Sequence, residues 1–258
     1  MSDGAAPLKV WLEREGALLR VRLARPKANL IDAEMIAAIR EVLTRNRSNK
    51  GLLAALVDHE GPHFSFGASV EEHLPEQCER MLKGLHGLVG EMLDWPRPIL
   101  VAARGQCLGG GLEFALAGHL LFLGADARLG QPEMKLGVFA PAASVLLPLR
   151  IGQARAEDLL YSGRSIDSRA ALDWGLANEV AEDPSAAALA YFDNHLKDKS
   201  AASLAMAVRA ARQPFADLAR VRIEDVEALY LESLMATRDA NEGLTAFIEK
   251  RQPRWEHR

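Results

Sequence analysis

Residues 105–113 read Gly105-Gln106-Cys107-Leu108-Gly109-Gly110-Gly111-Leu112-Glu113, between an apolar run, Ile99 to Ala103, and a helical pattern, Leu112 to Ala117. A strand, a glycine turn and a helix in that order leave the first N–H groups of the helix unpaired and pointing outward, where they favour negative charge. Glycine has no Cβ, so its backbone reaches conformations closed to other residues and lets a ligand approach closely. The run lacks the Gly-Lys-Ser/Thr ending of a phosphate-binding loop and is not a G-x-G-x-x-G dinucleotide fingerprint. Two readings remain: close helix packing, or a site that stabilises an oxyanion beside a proton-transfer group, Glu113. A carboxylate in a first helical turn also complements the helix dipole without any further role.

Outward from this turn the pattern alternates strands and helices. Lys9 to Glu13 and Leu18 to Leu23 read as strands, the second alternating Leu19, Val21 and Leu23 against Arg20 and Arg22. Asp32 is placed to cap a helix carrying Met35, Ile36, Ile39, Val42 and Leu43 on one face. Leu52 to Val57 reads as a buried strand, and Met81 to Leu93 as an amphipathic helix ended by Pro96. Pro98 to Ala103, Leu120 to Leu123 and Ala127 to Leu129 read as further strands. From Pro141 onward the pattern is helical. The expected helices are Pro141 to Arg150, Ala154 to Ser162, Ser168 to Trp174, Ser185 to Lys197, Ser200 to Arg212, Phe215 to Met235 and Asn241 to Lys250. The order predicts an α/β core, residues 1–198, with a helical C-terminal region, residues 199–258, packed on it or on a neighbouring subunit.

The chain has 258 residues, a formal charge of −4 and 49% hydrophobic residues, enough to bury a substantial core. No basic stripe argues for nucleic acid, and no charge block argues for a tail. The two cysteines, Cys78 and Cys107, are too few for a disulfide scaffold and are expected to be buried thiols in a reducing compartment. The N-terminus, MSDGAAPLKV, lacks a basic region followed by an apolar one. No apolar run reaches the roughly 18 residues of a spanning helix. A cytoplasmic protein without membrane contact is expected. His59, His63, His73, His86, His119, His195 and His257 have no metal-ligand spacing, so no metal is expected. His63 and His73 flank the first loop discussed next and are read as surface residues.

Two more segments carry chemistry. Phe64-Ser65-Phe66-Gly67-Ala68-Ser69 follows a strand and contains a small turn able to present the Ala68 N–H. In Gly130-Gln131-Pro132-Glu133, Pro132 fixes its own φ and restricts Gln131, so Glu133 sits on a stiff turn amid apolar residues. A carboxylate desolvated in such a place acts as an acid near neutrality; a solvated loop residue is the alternative.

Taken together these segments resemble the crotonase, or enoyl-CoA hydratase/isomerase, family. Residues 64–69 resemble its F-S-A-G-A-D loop, 105–113 its G-x-x-x-G-G-G-x-E segment and 130–133 its G-Q-P-E. Residues 242–251 resemble its C-terminal E-G-x-x-A-F-x-E-K-R. The resemblance covers nearly the whole chain. It implies a spiral of ββα units with a helical C-terminal trimerisation region, assembled as a homotrimer or homohexamer. It implies an acyl-CoA thioester substrate and no separate cofactor, CoA being part of the substrate. Ala68 and Gly110 are then the oxyanion donors and Glu113 and Glu133 the acid/base pair, with the division between the two glutamates open. Arg25 to Leu30 resembles the family's R-P-x-x-x-N segment, one residue shorter, which implies Lys27, Ala28 and Leu30 at the CoA entrance. Phe247 and Lys250 would reach the CoA from the C-terminal helix, often across a subunit boundary; Phe247 as core is the competing reading.

Three departures bear on the acyl group. Ser69 stands for the usual Asp, Phe66 for the usual Ala, and Gly137-Val138-Phe139-Ala140-Pro141-Ala142-Ala143-Ser144 for a glycine-rich stretch that walls the acyl pocket. This combination resembles the family's cyclic dienoyl-CoA hydratases. It implies water addition to a conjugated ring thioester, cyclohexa-1,5-diene-1-carbonyl-CoA, giving 6-hydroxycyclohex-1-ene-1-carbonyl-CoA in anaerobic aromatic degradation. The rivals are a straight-chain enoyl-CoA hydratase, an isomerase and a non-catalytic acyl-CoA-binding subunit. Ser65 and Ser144 raise a hydrolase, although no G-x-S-x-G elbow supports one.

Overall fold

The computed structural model describes residues 6–258; the first five residues, part of the N-terminal segment read above, lie outside it. The strands are β1 (Leu8–Glu13), β2 (Leu18–Leu23), β3 (Ala54–His59), β4 (Ile99–Ala103), β5 (Gln106–Leu108), β6 (Leu120–Gly124), β7 (Arg128–Gly130), β8 (Ser165–Asp167) and β9 (Glu179–Ala181). The helices are α1 (Ala33–Asn46), α2 (Pro75–Leu93), α3 (Gly110–Ala117), α4 (Pro141–Ile151), α5 (Gln153–Ser162), α6 (Ser168–Asp173), α7 (Pro184–Tyr191), α8 (Ala201–Ala228) and α9 (Arg238–Ile248). Six strands form one sheet in the order β1-β2-β3-β4-β6-β9, antiparallel only between β1 and β2. A small second sheet orders β5-β7-β8. β4 and the first four residues of β3, Ala54 to Val57, are apolar and buried because parallel strands covered on both faces have no solvent side.

Local signals act as expected at several ends. Asp32 accepts from the Met35 amide at 2.9 Å and starts α1, and Pro75 opens α2. The α2 stripe of Met81, Leu82, Leu85, Leu88, Val89, Met92 and Leu93 is buried, and His86 is buried with it. Cys78 and Cys107 are free, buried thiols, and burial pushes the Cys78 thiol up to about 11.

Elsewhere tertiary pairing overrides local pattern. Gln106 to Leu108, read as part of a glycine turn, is strand β5, paired in parallel with β7. The region past Pro141 is not wholly helical: β8 completes the small sheet and β9 the edge of the large one. The two helices expected on either side of Pro214 are one helix, α8, although proline removes a helical N–H and crowds the preceding turn. Packing against α4 and α2, with Ala205, Ala216, Ala219 and Ile223 buried, holds α8 continuous. The helix expected to end at Lys197 gives way after Tyr191 to a wider turn, Phe192–Leu196.

Charge is buried at one place in the main sheet. Asp58 on β3 accepts from Arg22 Nε at 2.9 Å and Nη2 at 2.6 Å, from Arg20, and from Ser185 Oγ of α7 at 3.1 Å. Burial opposes the Asp58 carboxylate, but hydrogen bonds and charge from Arg22 and Arg20 outweigh it and hold its pKa below the usual range. Removing one partner of such a pair leaves an uncompensated buried charge. Asp58→Ala is therefore expected to lower unfolding free energy by about 3–5 kcal/mol, read from urea midpoints. Because the folded-state pKa is depressed, this contribution is complete above the unfolded value. It should fade as pH falls through the folded one, so the gap between wild type and variant should narrow in acid.

Candidate active site

The site is built where two backbone segments meet. The Ser65 amide donates to Gln106 O at 3.0 Å, Leu108 N donates to Ser65 O at 3.0 Å, and Ser65 pairs with Cys107 as a parallel bridge. On its other side, Phe66 N donates to Ala28 O and Ile31 N to Gly67 O, both at 2.9 Å. Buried Asn29 fixes that flank: its Oδ1 accepts from Arg25 N, and its Nδ2 donates to Glu60 O and His63 O.

Glycine is needed at this crossing because no Cβ fits. At Gly111 it would stand 2.5 Å from Ser65 Cβ, and at Gly109, which has φ +51°, 2.5 Å from Glu133 Oε1. The Cβ position of Gly110 is 3.1 Å from Ala68 N, and that of Gly67 is 3.5 Å from Gly110 N. The amides of Ala68 and Gly110 are thus brought side by side, and neither donates to an acceptor among the described residues. Gly110 opens α3, so its N–H belongs to a helix start. The far end of α3 is closed by two half-buried arginines. Arg150 donates to Leu116 O, and Arg212 to Ala117 O and Gly118 O.

Both glutamates face the same cavity. It has a volume of about 60 Å³ and is lined by Phe66 and Ala68, by Leu82 and Leu85 of α2, by Gly110 and Glu113 of α3, by Glu133, and by Phe139 to Pro141. Glu113 is buried on α3, and its Oε1 accepts from Ala143 N at 2.8 Å. Ala143 lies in the first turn of α4, whose N-terminus thereby favours negative charge on Glu113. Burial still raises the Glu113 carboxyl above its ordinary value; charge on His86 and the amides of Ala143 and Ala142 oppose that rise. Glu133 sits half-buried on a single 3₁₀ turn, Pro132–Leu136, which Pro132 opens and the left-handed Gly137 closes. Burial, reinforced by charge on Glu113, pushes the Glu133 carboxyl up to about 8. With the Gln131 amide turned so that its N–H groups face the carboxyl, they reach Oε1 and Oε2 of Glu133 at 3.2 and 3.1 Å.

The remaining candidates divide. Phe66, 44% exposed, and Phe139 line the cavity. Lys27 is exposed, while Ala28 and Leu30 are half-buried beside the 64–68 loop without lining the cavity. Phe247, 55% exposed, is not core, and neither it nor exposed Lys250 lines the cavity of its own chain. The family-like stretch around them closes α9 instead: Arg251 forks onto the Glu242 carboxylate, and Gly243 lets the helix pack on Leu136 O. His73, read as a surface residue, lines the cavity, because its ring turns inward while Nδ1 bonds to Ser69 O. His63 is half-buried and accepts from Gln106 N. Ser65 Oγ accepts from Gly67 N and Ser144 Oγ donates to Ala140 O, so both serve the backbone and neither is poised as a nucleophile.

Two polar residues here escaped sequence reading. Tyr230 follows α8, is fully buried against Phe139 with ring centroids 5.2 Å apart, and has no partner for its hydroxyl among the described residues. Burial, with charge on Cys78, Glu133 and Glu113, raises its pKa. His86 interrupts the apolar stripe of α2. A single polar residue within a buried helical face was the available signal for each.

Comparison with known proteins agrees with this geometry. A family model described as enoyl-CoA hydratase/isomerase matches residues 13–258. The chain is 63% identical over 258 residues, all of both chains, to a cyclohexa-1,5-dienecarbonyl-CoA hydratase of Thauera aromatica. It is 33% identical to a carnitinyl-CoA dehydratase of Proteus mirabilis over 96% of this chain and 98% of the other. A solved enoyl-CoA hydratase/isomerase from Pseudoalteromonas atlantica superposes with a TM-score of 0.83 at 28% identity, covering 96% of this chain and 99% of that one. The fold is accordingly the α/β crotonase fold expected from the motifs, and the chain belongs to the enoyl-CoA hydratase/isomerase family.

Proposed function

We propose that the protein is a hydro-lyase that adds water to a cyclic conjugated dienoyl-CoA, cyclohexa-1,5-diene-1-carbonyl-CoA, and uses no cofactor beyond the CoA of its substrate. The observation that carries this reading is a pair of buried carboxyls facing one cavity beside two backbone amides that donate to no acceptor among the described residues. Burial and the neighbouring charge keep Glu133 protonated at neutral pH, whereas a helix N-terminus and His86 favour charge on Glu113. The full-length likeness to the Thauera aromatica hydratase supports the ring as substrate.

Ionised Glu113 takes a proton from water, and the water oxygen bonds to ring carbon C2, β to the thioester. The C1–C2 π electrons move toward the carbonyl, whose oxygen becomes an anion between the amides of Ala68 and Gly110. Removing one such donor typically costs about 3–4 kcal/mol of transition-state stabilisation. Protonated Glu133 delivers its proton to C5, and the second double bond shifts from C5–C6 to C1–C6. Renumbered from the new double bond, the hydroxyl carbon is C6, which is 6-hydroxycyclohex-1-ene-1-carbonyl-CoA. Transfer of one proton from Glu113 to Glu133 restores the starting state.

The CoA would enter past Lys27, Ala28 and Leu30. Phe247 and Lys250 would contact it from a neighbouring subunit, which agrees with their exposure and their distance from their own cavity. Residues 199–258 then form the trimerisation region on a core of residues 1–198, in a homotrimer or homohexamer. Exposed Met206, Leu218 and Val221 on α8 support a covered face there. No described helix is long and apolar enough to cross a membrane, and a cytoplasmic location fits the metabolic substrate.

Glu113→Gln and Glu133→Gln should each lower kcat by about 10²–10⁴-fold while circular dichroism and CoA-ester binding persist; near-normal turnover removes that residue from the mechanism. Turnover of cyclohexadienoyl-CoA against crotonyl-CoA tests the ring, and preference for the straight chain defeats it. An acid with a pKa near 8 is protonated below that value, so the rate should decline as pH rises past about 8. Gly109→Ala places a Cβ against Glu133 and should cost about 10²-fold in kcat through misplacement, measured with thermal stability as control.

A further inference from the structure

The segment from Gln252 to Arg258 has no task in the reaction as derived, yet it is tied closely to α9. Arg254 N donates to Glu242 Oε1 at 2.8 Å, and the amides of Glu256 and His257 donate to Asp239 Oδ1 and Oδ2 at 2.7 and 2.8 Å. Arg258 O accepts from Arg238 N at 2.8 Å and from Asp239 N at 3.3 Å. Asp239 and Glu242 stand one turn apart on α9, so their carboxylates grip successive stretches of the segment. A segment without secondary structure holds one path when its backbone groups find partners in this way. The residue so fastened is Trp255. It is 40% exposed, but the edge of its ring lies across two glycines. Cη2 is 3.2 Å from the Cβ position of Gly137 and 2.9 Å from that of Gly243, and Cζ3 is 3.0 Å from that of Gly137.

Gly137 closes the 3₁₀ turn that carries Glu133, and that turn has little to hold it from within. Glu133 O accepts from Val138 N at 3.2 Å, Met134 O accepts from Gly137 N at 3.3 Å, and no side chain caps the start. A single 3₁₀ turn has poorer hydrogen-bond geometry than an α-helix, so its position is set by what packs on it. Its exit rests on α9: Leu136 O lies against Gly243, and Asp239 O is 2.7 Å from the Cβ position of Gly137. Trp255 closes this junction from outside, bridging turn and helix where neither has room for a side chain. On the other flank the stem of exposed Lys135 lies 3.4 Å from the Cβ position of Gly163, and a flexible side chain fixes less than a rigid ring. We propose that Trp255 is a positioning residue, clamped on α9 by the Gln252–Arg258 segment, that wedges the turn at Gly137 and so holds the Glu133 carboxyl at the reacting ring. Trp255 does not line the cavity, so it acts through the turn and not on substrate. Glu133, Leu136, Val138 and Phe139 all line the cavity on either side of Gly137, so a shift at Gly137 reaches it directly.

The inference rests on the hydratase reading, and the test separates the two. Trp255→Ala should lower kcat for cyclohexadienoyl-CoA by about 10–10²-fold, the scale of an ångström's misplacement, with KM nearly unchanged and wild-type circular dichroism. Trp255→Leu, which keeps apolar bulk but cannot span both glycines, should show the same split at smaller size. Trp255→Phe should restore most of kcat. Because the ring acts only through Glu133, adding Trp255→Ala to Glu133→Gln should cost almost nothing further. A further loss of full size in that background, a loss carried by KM, or unchanged kcat in Trp255→Ala and Trp255→Leu overturns the inference. Wild-type-like turnover by Glu133→Gln would instead sink the underlying hydratase reading.

Discussion

The structure depends on the close crossing of two backbone segments, Ser65 to Ala68 and Leu108 to Gly111. The Ser65–Cys107 bridge draws them together; a Cβ would collide at Gly109 and Gly111 and would be crowded at Gly67 and Gly110. Everything chemical follows from that distance. It sets two peptide N–H groups side by side and aims the start of α3 at the cavity. It also seats the Glu133 carboxyl over Gly109, where only a hydrogen fits. The rest of the fold clamps the crossing: Asn29 ties down one flank, and Arg150 and Arg212 close the far end of α3.

A second constraint is electrostatic. Two carboxyls in one water-poor cavity cannot both ionise at little cost, so the environment decides which one does. Glu113 has the N-terminus of α4 and the neighbourhood of His86; Glu133 has the charge of Glu113 against it. The segment from Gly137 to Ser144 takes part directly. Pro141 opens α4, and Ala143 supplies the N–H that Glu113 accepts. The same segment contributes Phe139, which packs on Tyr230 and lines the cavity, so part of the cavity wall and the amide that Glu113 accepts from come from one stretch of chain.

Much of the fold was legible because its signals are local. The Leu19, Val21, Leu23 alternation of β2, the Asp32 cap of α1 and the long stripe of α2 each act within a few residues. Strand β5 was hidden because three residues have no period, and only pairing with β7 makes them a strand. Continuity of α8 through Pro214 was hidden because it comes from packing on α4 and α2. The glycine run and the two glutamates were visible as motifs, whereas His86 and Tyr230 looked like members of apolar faces. The inward turn of His73 was equally invisible, since a lone polar residue in a loop carries no direction.

By itself the sequence determined the alternation of strands and helices, the glycine positions that permit a close crossing, and the presence of both carboxyls. These rest on backbone freedom, periodicity and residue type, which are properties of short segments. Only the tertiary structure decided that Glu113 and Glu133 share one cavity, that the amides of Ala68 and Gly110 stand together unspent, and that burial raises both carboxyls. Those outcomes arise from desolvation and charge contributed by residues far apart in the chain, and no local pattern encodes a sum over distant neighbours.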